Sequence, residues 1–419
     1  MSVRTRQPTW VDGAAGGHYD VDNLPYAVFA TTGDETARVG VRVGDLVVDV
    51  APLAAAGGVA HGSVFAAASL TPLMALGREA WSSLRAWLVE LLTDPRLRAS
   101  VEPRLLPVDD VRLLLPFPVA DYVDFYCSVH HATRVGEIFR PGAEPLPRQW
   151  RRLPIGYHGR AGAVVVSGTP VRRPRGLRPE GTGSAAGPDT DVPTYAATRQ
   201  LDFEAELAFA VGVPAGPAGS VGTAAFGDHV FGVQLLNDWS ARDIQRYESA
   251  PLGPFLGKAF ATSVSAWVTP LDALSAAWVP LPGQDPTPAA HLQVDDPAGL
   301  DIDIDITVNG VMLARVPYAS TYWAPAQMLT HLTSGGAPLR AGDVFASGTV
   351  SGPGPAQRGC LLELTWGGTR PLPLPDGSSR AWLDDGDEVV LTATAPGSLG
   401  GRLALGETRG RVDPLQAGQ

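Results

Sequence analysis

The chain predicts a β-rich body larger than one ordinary domain, and three observations predict it. Its 419 residues exceed the length at which a single core usually stops growing. Its 48 glycines and 38 prolines favour many turns. Short apolar runs bounded by turn residues recur through most of its length. An apolar content of 45% is enough to fill a sizeable core.

Taken in order, Tyr26-Ala27-Val28-Phe29-Ala30, 37–43 and 46–50 read as short strands with Gly/Asp turns between them. Thr71-Pro72 starts a helix, with Thr as N-cap and Pro at the first helical position. Trp81, Leu84, Trp87, Leu88, Leu91 and Leu92 recur at helical spacing as one core-facing stripe, which Asp94-Pro95 ends. A strand at 112–118 marks a domain junction, dividing the chain into 1–117 and 118–419. Strands follow at 163–167, 202–211 and 230–236, separated by a Pro/Gly/Arg-rich loop at 172–195 and a low-complexity connection at 213–224. Residues 239–246 read as helical. Residues 301–306 alternate strictly, giving a strand with an acidic face, and Asn309-Gly310 turns it into a hairpin. The three aspartates of that face read as solvated rather than as a metal ladder. A short helix at 325–332 and strands at 343–347, 360–365 and 388–392 complete the body.

The bulk charge narrows the function. With 32 basic against 43 acidic residues the net charge is -11, which argues against a nucleic-acid partner. A few local Arg and Lys can still dominate one cleft, so an anionic small substrate stays open. Cys127 and Cys360 stand far apart, outside any metal spacing, which fits a reducing cytoplasm. The start, Met1-Ser2-Val3-Arg4-Thr5-Arg6, has no apolar stretch behind it and does not read as a signal peptide. Residues 50–77 are almost uncharged but broken by Gly57-Gly58, His61 and Pro72, so no membrane span is expected.

Four stretches carry chemistry. In Asp202-Phe203-Glu204-Ala205-Glu206, Glu204 and Glu206 share one strand face, and the apolar neighbours suggest burial. Paired buried carboxylates are costly without a cation, and all-oxygen ligation selects a hard ion. Two glutamates on a solvated face remain the alternative here. Asn237-Asp238-Trp239-Ser240-Ala241-Arg242-Asp243-Ile244-Gln245 follows an apolar strand, so Asp238 sits at a strand end and Arg242 and Gln245 share a helix face. Lys258 returns after Pro251-Leu252-Gly253-Pro254-Phe255-Leu256-Gly257, a loop whose glycines permit close approach. Asp124-Phe125-Tyr126-Cys127-Ser128-Val129-His130-His131 packs a carboxylate, a phenol and two histidines together, and histidine is the usual general base. Arg140 suits a carboxylate partner. Ser347-Gly348-Thr349-Val350-Ser351-Gly352-Pro353-Gly354 lacks the Lys-Ser/Thr ending of a phosphate loop, and neither a nucleophile elbow nor a dinucleotide fingerprint is present.

Asp-Phe-Tyr at 124–126, His-Ala-Thr at 131–133, Gly-Tyr-His-Gly-Arg at 156–160, Glu-x-Glu at 204–206, Asn-Asp-Trp-Ser-Ala-Arg-Asp-Ile-Gln at 237–245 and Pro-Leu-Gly-Pro-Phe-Leu-Gly-Lys at 251–258 stand in order along the chain. In these motifs the chain resembles the fumarylacetoacetase (fumarylacetoacetate hydrolase) family, over most of its length. The resemblance implies an N-terminal SH3-like β-barrel, a C-terminal mixed β-sandwich roll and a homodimer. It implies Asp124, Glu204, Glu206 and Asp238 as ligands of a divalent metal, Mg2+ or Ca2+, with Mn2+ a third candidate. It implies His131 as the base that activates water, Glu363 as the carboxylate that orients it, and Arg242, Gln245 and Lys258 as stabilisers of developing negative charge. Tyr126, Arg140, Tyr157 and Thr349 match substrate contacts.

The implied activity is metal-dependent hydrolysis of the carbon–carbon bond of 4-fumarylacetoacetate, a small anionic diketo acid, to fumarate and acetoacetate. That reaction closes tyrosine and phenylalanine catabolism. Two departures stand out: Ser249 replaces a second substrate-binding tyrosine, with Tyr247 two residues earlier, and Val129-His130 replaces Arg-Gln. The alternatives are an acylpyruvate or fumarylpyruvate hydrolase, and a metal-stabilised binding protein without catalysis.

Overall fold

The computed structural model describes residues 8–179, 193–217, 219–375 and 377–414. The first strands form where the sequence predicts them, as Tyr26–Thr31, Asp34–Val43 and Leu46–Asp49. With Leu105–Pro107 and Val111–Leu114 they make an antiparallel five-stranded sheet, ordered 105–107, 46–49, 34–43, 26–31, 111–114. The predicted helix from Thr71 is two helices, Thr71–Met74 and Arg78–Thr93. Gly77, at φ 90°, makes the break, a conformation that glycine adopts without a Cβ penalty. Its stripe is core as expected: Trp81, Leu84, Leu88, Leu91 and Leu92 are buried and Trp87 is half-buried.

The second sheet has eight strands and carries the site. Its path runs Gly156–His158, Tyr122–Phe125, Val344–Ala346, Ala205–Val211, Val230–Asp238, Thr262–Val264, Val164–Val166, with Thr269–Pro270 also paired to Val230–Asp238. The two middle strands are buried at every residue, because both faces of the sheet are covered. One face meets the first domain: Phe231 lies 5.6 Å from Tyr26 and 5.4 Å from Trp81, centroid to centroid. The other meets a five-stranded sheet ordered 311–317, 303–308, 388–396, 402–413, 171–172. Trp239 and the Arg402–Asp413 strand are in contact there, since a Cβ on Gly410 would lie 2.4 Å from the indole.

Several expectations are corrected. The 202–211 strand is split into Leu201–Asp202 and Ala205–Val211, and the first piece pairs with Ser240–Ala241. The helix expected from 239 therefore begins at Arg242 and ends at Glu248. Residues 360–365 form a helical turn, Leu361–Leu364, rather than a strand. The Asp202 carboxylate explains it, accepting the Leu361 N–H at 2.7 Å and the Leu362 N–H at 3.0 Å, donors that a strand pairing would have needed. In the expected loop at 172–195, Arg175–Arg178 pairs with Thr194–Ala197, and 180–192 lie outside the described residues. Residue 218, in the 213–224 connection, and the start at 1–6 also lie outside them. The body is closed by Arg402–Asp413, one strand beyond Glu388–Pro396.

Candidate active site

Strand ends bring four carboxylates together. Asp124 stands beside Tyr157 and Ala346 in the sheet register, Glu206 opposite Leu236, and Asp238 opposite Thr262. Glu204 occupies the break before Ala205. One oxygen from each of Asp124, Glu204, Glu206 and Asp238 lies within 4.8 Å of all the others, and all four residues are buried. Gly348 shapes this end of the sheet: at φ 72° it packs against the Phe125 carbonyl where a Cβ would lie 2.1 Å away.

The four differ in how they are compensated. Lys258 Nζ donates to Asp238 Oδ2 at 2.7 Å and to Glu204 Oε2. Arg242 lies 2.7 Å from Glu204 Oε1, so although burial works against it, Lys258 and Arg242 hold the Glu204 carboxyl below the usual range. Asp238 also accepts from Tyr157 at 3.0 Å and Thr262 at 3.1 Å. Asp124 Oδ1 and both oxygens of Glu206 find no hydrogen-bond partner among the described residues. Burial, then the charge of Asp238, pushes the Asp124 carboxyl up to about 8; burial, then Asp124 and Glu204, pushes Glu206 well above the carboxylate range. Orphaned buried oxygens facing one another are what an oxygen-ligated divalent cation satisfies, so the residues fit such an ion.

A second group adjoins the first. His131 lies in the first turn of the Val129–Phe139 helix, where Ser128 caps it by accepting the His131 N–H at 3.2 Å. Its Nδ1 lies 2.7 Å from Glu363 Oε2. Glu363 is wholly buried and accepts from Ser351 at 2.6 Å and from Arg134 at 3.0 Å. Burial opposes its charge, yet His131, Ser351 and Arg134 together hold it down at about 2. The Tyr126 ring meets His131 edge-on at 5.4 Å, and the imidazole acts electrostatically on Glu204.

The remaining predicted residues are placed variously. Arg242 Nε donates to Asp202 at 2.9 Å and its Nη1 to Gln245 at 3.2 Å, so the two share a face as expected. Gly257 lets the Lys258 loop close on that helix, where a Cβ would lie 2.7 Å from the Gln245 nitrogen. Thr349 is buried and its hydroxyl has no partner among the described residues. Tyr157, expected as a substrate contact, is bonded to Asp238. Arg140 is exposed at a helix end and donates to the Pro145 carbonyl. The Ser249 hydroxyl donates back to the Gln245 carbonyl, and Tyr247 is exposed. Sequence reading missed Asp202, Ser351 and Arg134. Arg134 had a signal, since it stands three residues after His131 on one helix face.

A family model described as Fumarylacetoacetate (FAA) hydrolase C-terminal matches residues 121–412, and one described as Fumarylacetoacetase N-terminal matches residues 22–116. Fumarylacetoacetase from Bos taurus is 42% identical over 427 residues, covering 97% of this chain and 99% of that protein. The Caenorhabditis elegans fumarylacetoacetase is 42% identical over 416 residues, with 94% and 96% covered. In structure, a fumarylacetoacetate hydrolase from Exiguobacterium antarcticum superposes with a TM-score of 0.53 at 17% identity, covering 94% of this chain and 100% of that one, which bears on fold alone.

Proposed function

This chain belongs to the fumarylacetoacetase family, and we propose that its buried carboxylate site performs the reaction of that name, hydrolysis of the carbon–carbon bond of 4-fumarylacetoacetate to fumarate and acetoacetate. The observation that carries the reading is the pairing of four buried carboxylates, three of whose oxygens lack partners among the described residues, with an adjoining His131–Glu363 dyad. Asp124, Glu204, Glu206 and Asp238 would hold a divalent cation, which when bound supplies Lewis-acid polarisation of the substrate's carbonyl oxygens.

The chain's own groups do the rest. Glu363 fixes the imidazole through Nδ1, which leaves Nε2 as the nitrogen that takes a proton from water. General-base help of this kind is worth roughly 10²–10⁴-fold. The hydroxide attacks the fumaryl carbonyl, and the bond to the acetoacetate methylene breaks as the tetrahedral oxyanion collapses. The methylene carbon gains the electron pair and then a proton. Arg242, Gln245 and Lys258 are the donors for the negative charge, each worth about 3 kcal/mol where aligned. Thr349, whose hydroxyl has no partner among the described residues, would bond the substrate, and Tyr126 and Arg140, which interact electrostatically, would contact it as well.

The all-oxygen ligand set favours Mg2+ or Ca2+, with Mn2+ next. The family likeness supports a homodimer, and the exposed Leu252 and Phe255 offer apolar surface for one. Free, buried Cys127 and Cys360 support a cytoplasmic setting. The division into 1–117 and 118–419 is supported by the two family matches, which meet between 116 and 121. Rates on 4-fumarylacetoacetate and on fumarylpyruvate test the substrate: the first is expected to turn over much faster, and the reverse would make this an acylpyruvate hydrolase.

A further inference from the structure

The mechanism leaves one nucleophilic group beside the dyad unused. Cys360 is wholly buried and stands three residues before Glu363, so the two share one face of a helical turn. That face meets His131. The Cys360 Sγ lies 3.4 Å from Glu363 Oε2 and 4.0 Å from His131 Nδ1, and Nδ1 lies 2.7 Å from the same Oε2. One nitrogen, one sulfur and one oxygen thus lie within 4.8 Å of one another, and none belongs to the four-carboxylate group.

We propose that His131, Cys360 and Glu363 form a second cation site, for a thiophilic divalent ion of the zinc or cadmium class, and that filling it inhibits the enzyme by removing His131 from its role as base. The donor chemistry separates the two sites. Four carboxylates suit hard ions, whereas thiolate and imidazole suit zinc and its congeners. Charge partly fits, since the thiolate formed on entry and the Glu363 carboxylate, shared with Arg134, offset most of the ion's double charge. Entry of the ion releases the thiol proton to solvent and moves the Nδ1 proton to Nε2, so the nitrogen that would accept a proton from water is already filled. Without it, burial and then the charge of Glu363 push the thiol well above its ordinary range, so Cys360 stays protonated and inert. Glu363 can turn one oxygen to the ion and keep the other on Arg134, now 3.0 Å away.

The inhibition rests on the base role of His131, but binding does not. The test adds Cd2+ to full-length protein saturated with Mg2+, and follows ultraviolet thiolate-to-cadmium absorbance alongside activity. Stoichiometric growth of that band in step with inhibition is expected. Cys360→Ser should lose the band and need at least about tenfold more Cd2+ for equal inhibition, the least that losing even an outer metal partner costs. Cys127→Ser should keep the band. No band in the unaltered protein, or a band that survives Cys360→Ser, overturns the site. Inhibition with unchanged Cd2+ dependence in Cys360→Ser would put the ion on the four carboxylates and overturn it equally. A Cys360-dependent band without inhibition supports the site and counts against His131 as base, so the two failures are told apart.

Discussion

Glu204 and Glu206 share a spacing with Asp303 and Asp305, yet the two pairs have opposite fates. In sequence each pair stands at alternate positions, which in an unbroken strand share one face; Asp303 and Asp305 keep that strand, whereas Glu204 falls in the break before Ala205. Asp303 and Asp305 lie half-exposed on a strand, paired on both sides, whose alternate residues are buried. Asp305 Oδ2 is 2.7 Å from Arg315, and Asp303 is 3.3 Å from Arg402. Glu206 is wholly buried in the middle of the eight-stranded sheet, and its oxygens have no partner among the described residues. Spacing therefore sets only which side chains share a face. What lies over that face decides whether the charges are solvated ornaments or a cluster held at high cost for a ligand.

Four measurements bear on that contrast. The largest effect is expected from Glu206→Ala, which should lose bound metal by elemental analysis and nearly all activity; unchanged metal content would remove Glu206 from the ligand set. His131→Ala should keep its metal and lose turnover by roughly 10²–10⁴-fold, the size of a general-base contribution. Near-normal turnover would free His131 of that role.

The pH response comes third. Asp124, at about 8, and Glu206, well above the carboxylate range, hold protons in the metal-free fold that the unfolded chain has released. The folded state then binds more protons, so the melting temperature of metal-free protein should fall as pH rises from about 4 toward about 8. Added Mg2+ should raise it most at the upper end, where the ligands need least deprotonation. A metal-free melting temperature that rises across that window would contradict the buried, uncompensated state. The smallest effect belongs to the outer pair: Asp305→Asn should shift stability in denaturant titration by less than about 1 kcal/mol, as for exposed ion pairs, and leave metal content unchanged.

Much of this was legible in the chain, for identifiable reasons. Apolar runs such as 230–236 and the Asn309-Gly310 turn are local codes, and both elements form where expected. The sequence reads as one helix from Thr71, but the apolar stripe begins only at Trp81, beyond Gly77, whose positive φ separates the two helices. The turn at 361–364 was misread as a strand because its cause is remote: Asp202, about 160 residues earlier, takes its two leading N–H groups. The pairing of Glu204 with Glu206 is suggested by spacing, whereas the full set of four carboxylates and the His131–Glu363 contact, 232 residues apart in sequence, are implied only by the family resemblance. Motifs do not say what surrounds them, so the ties of Arg242 to Asp202 and of Tyr157 to Asp238 emerged only in three dimensions.

The most direct test of the account follows the ultraviolet absorbance of 4-fumarylacetoacetate on addition of the purified protein, with and without a chelator. Rapid loss that the chelator abolishes and that Mg2+ or Ca2+ restores is expected. Unchanged absorbance with metal-replete protein, or full activity in the chelator, would contradict it.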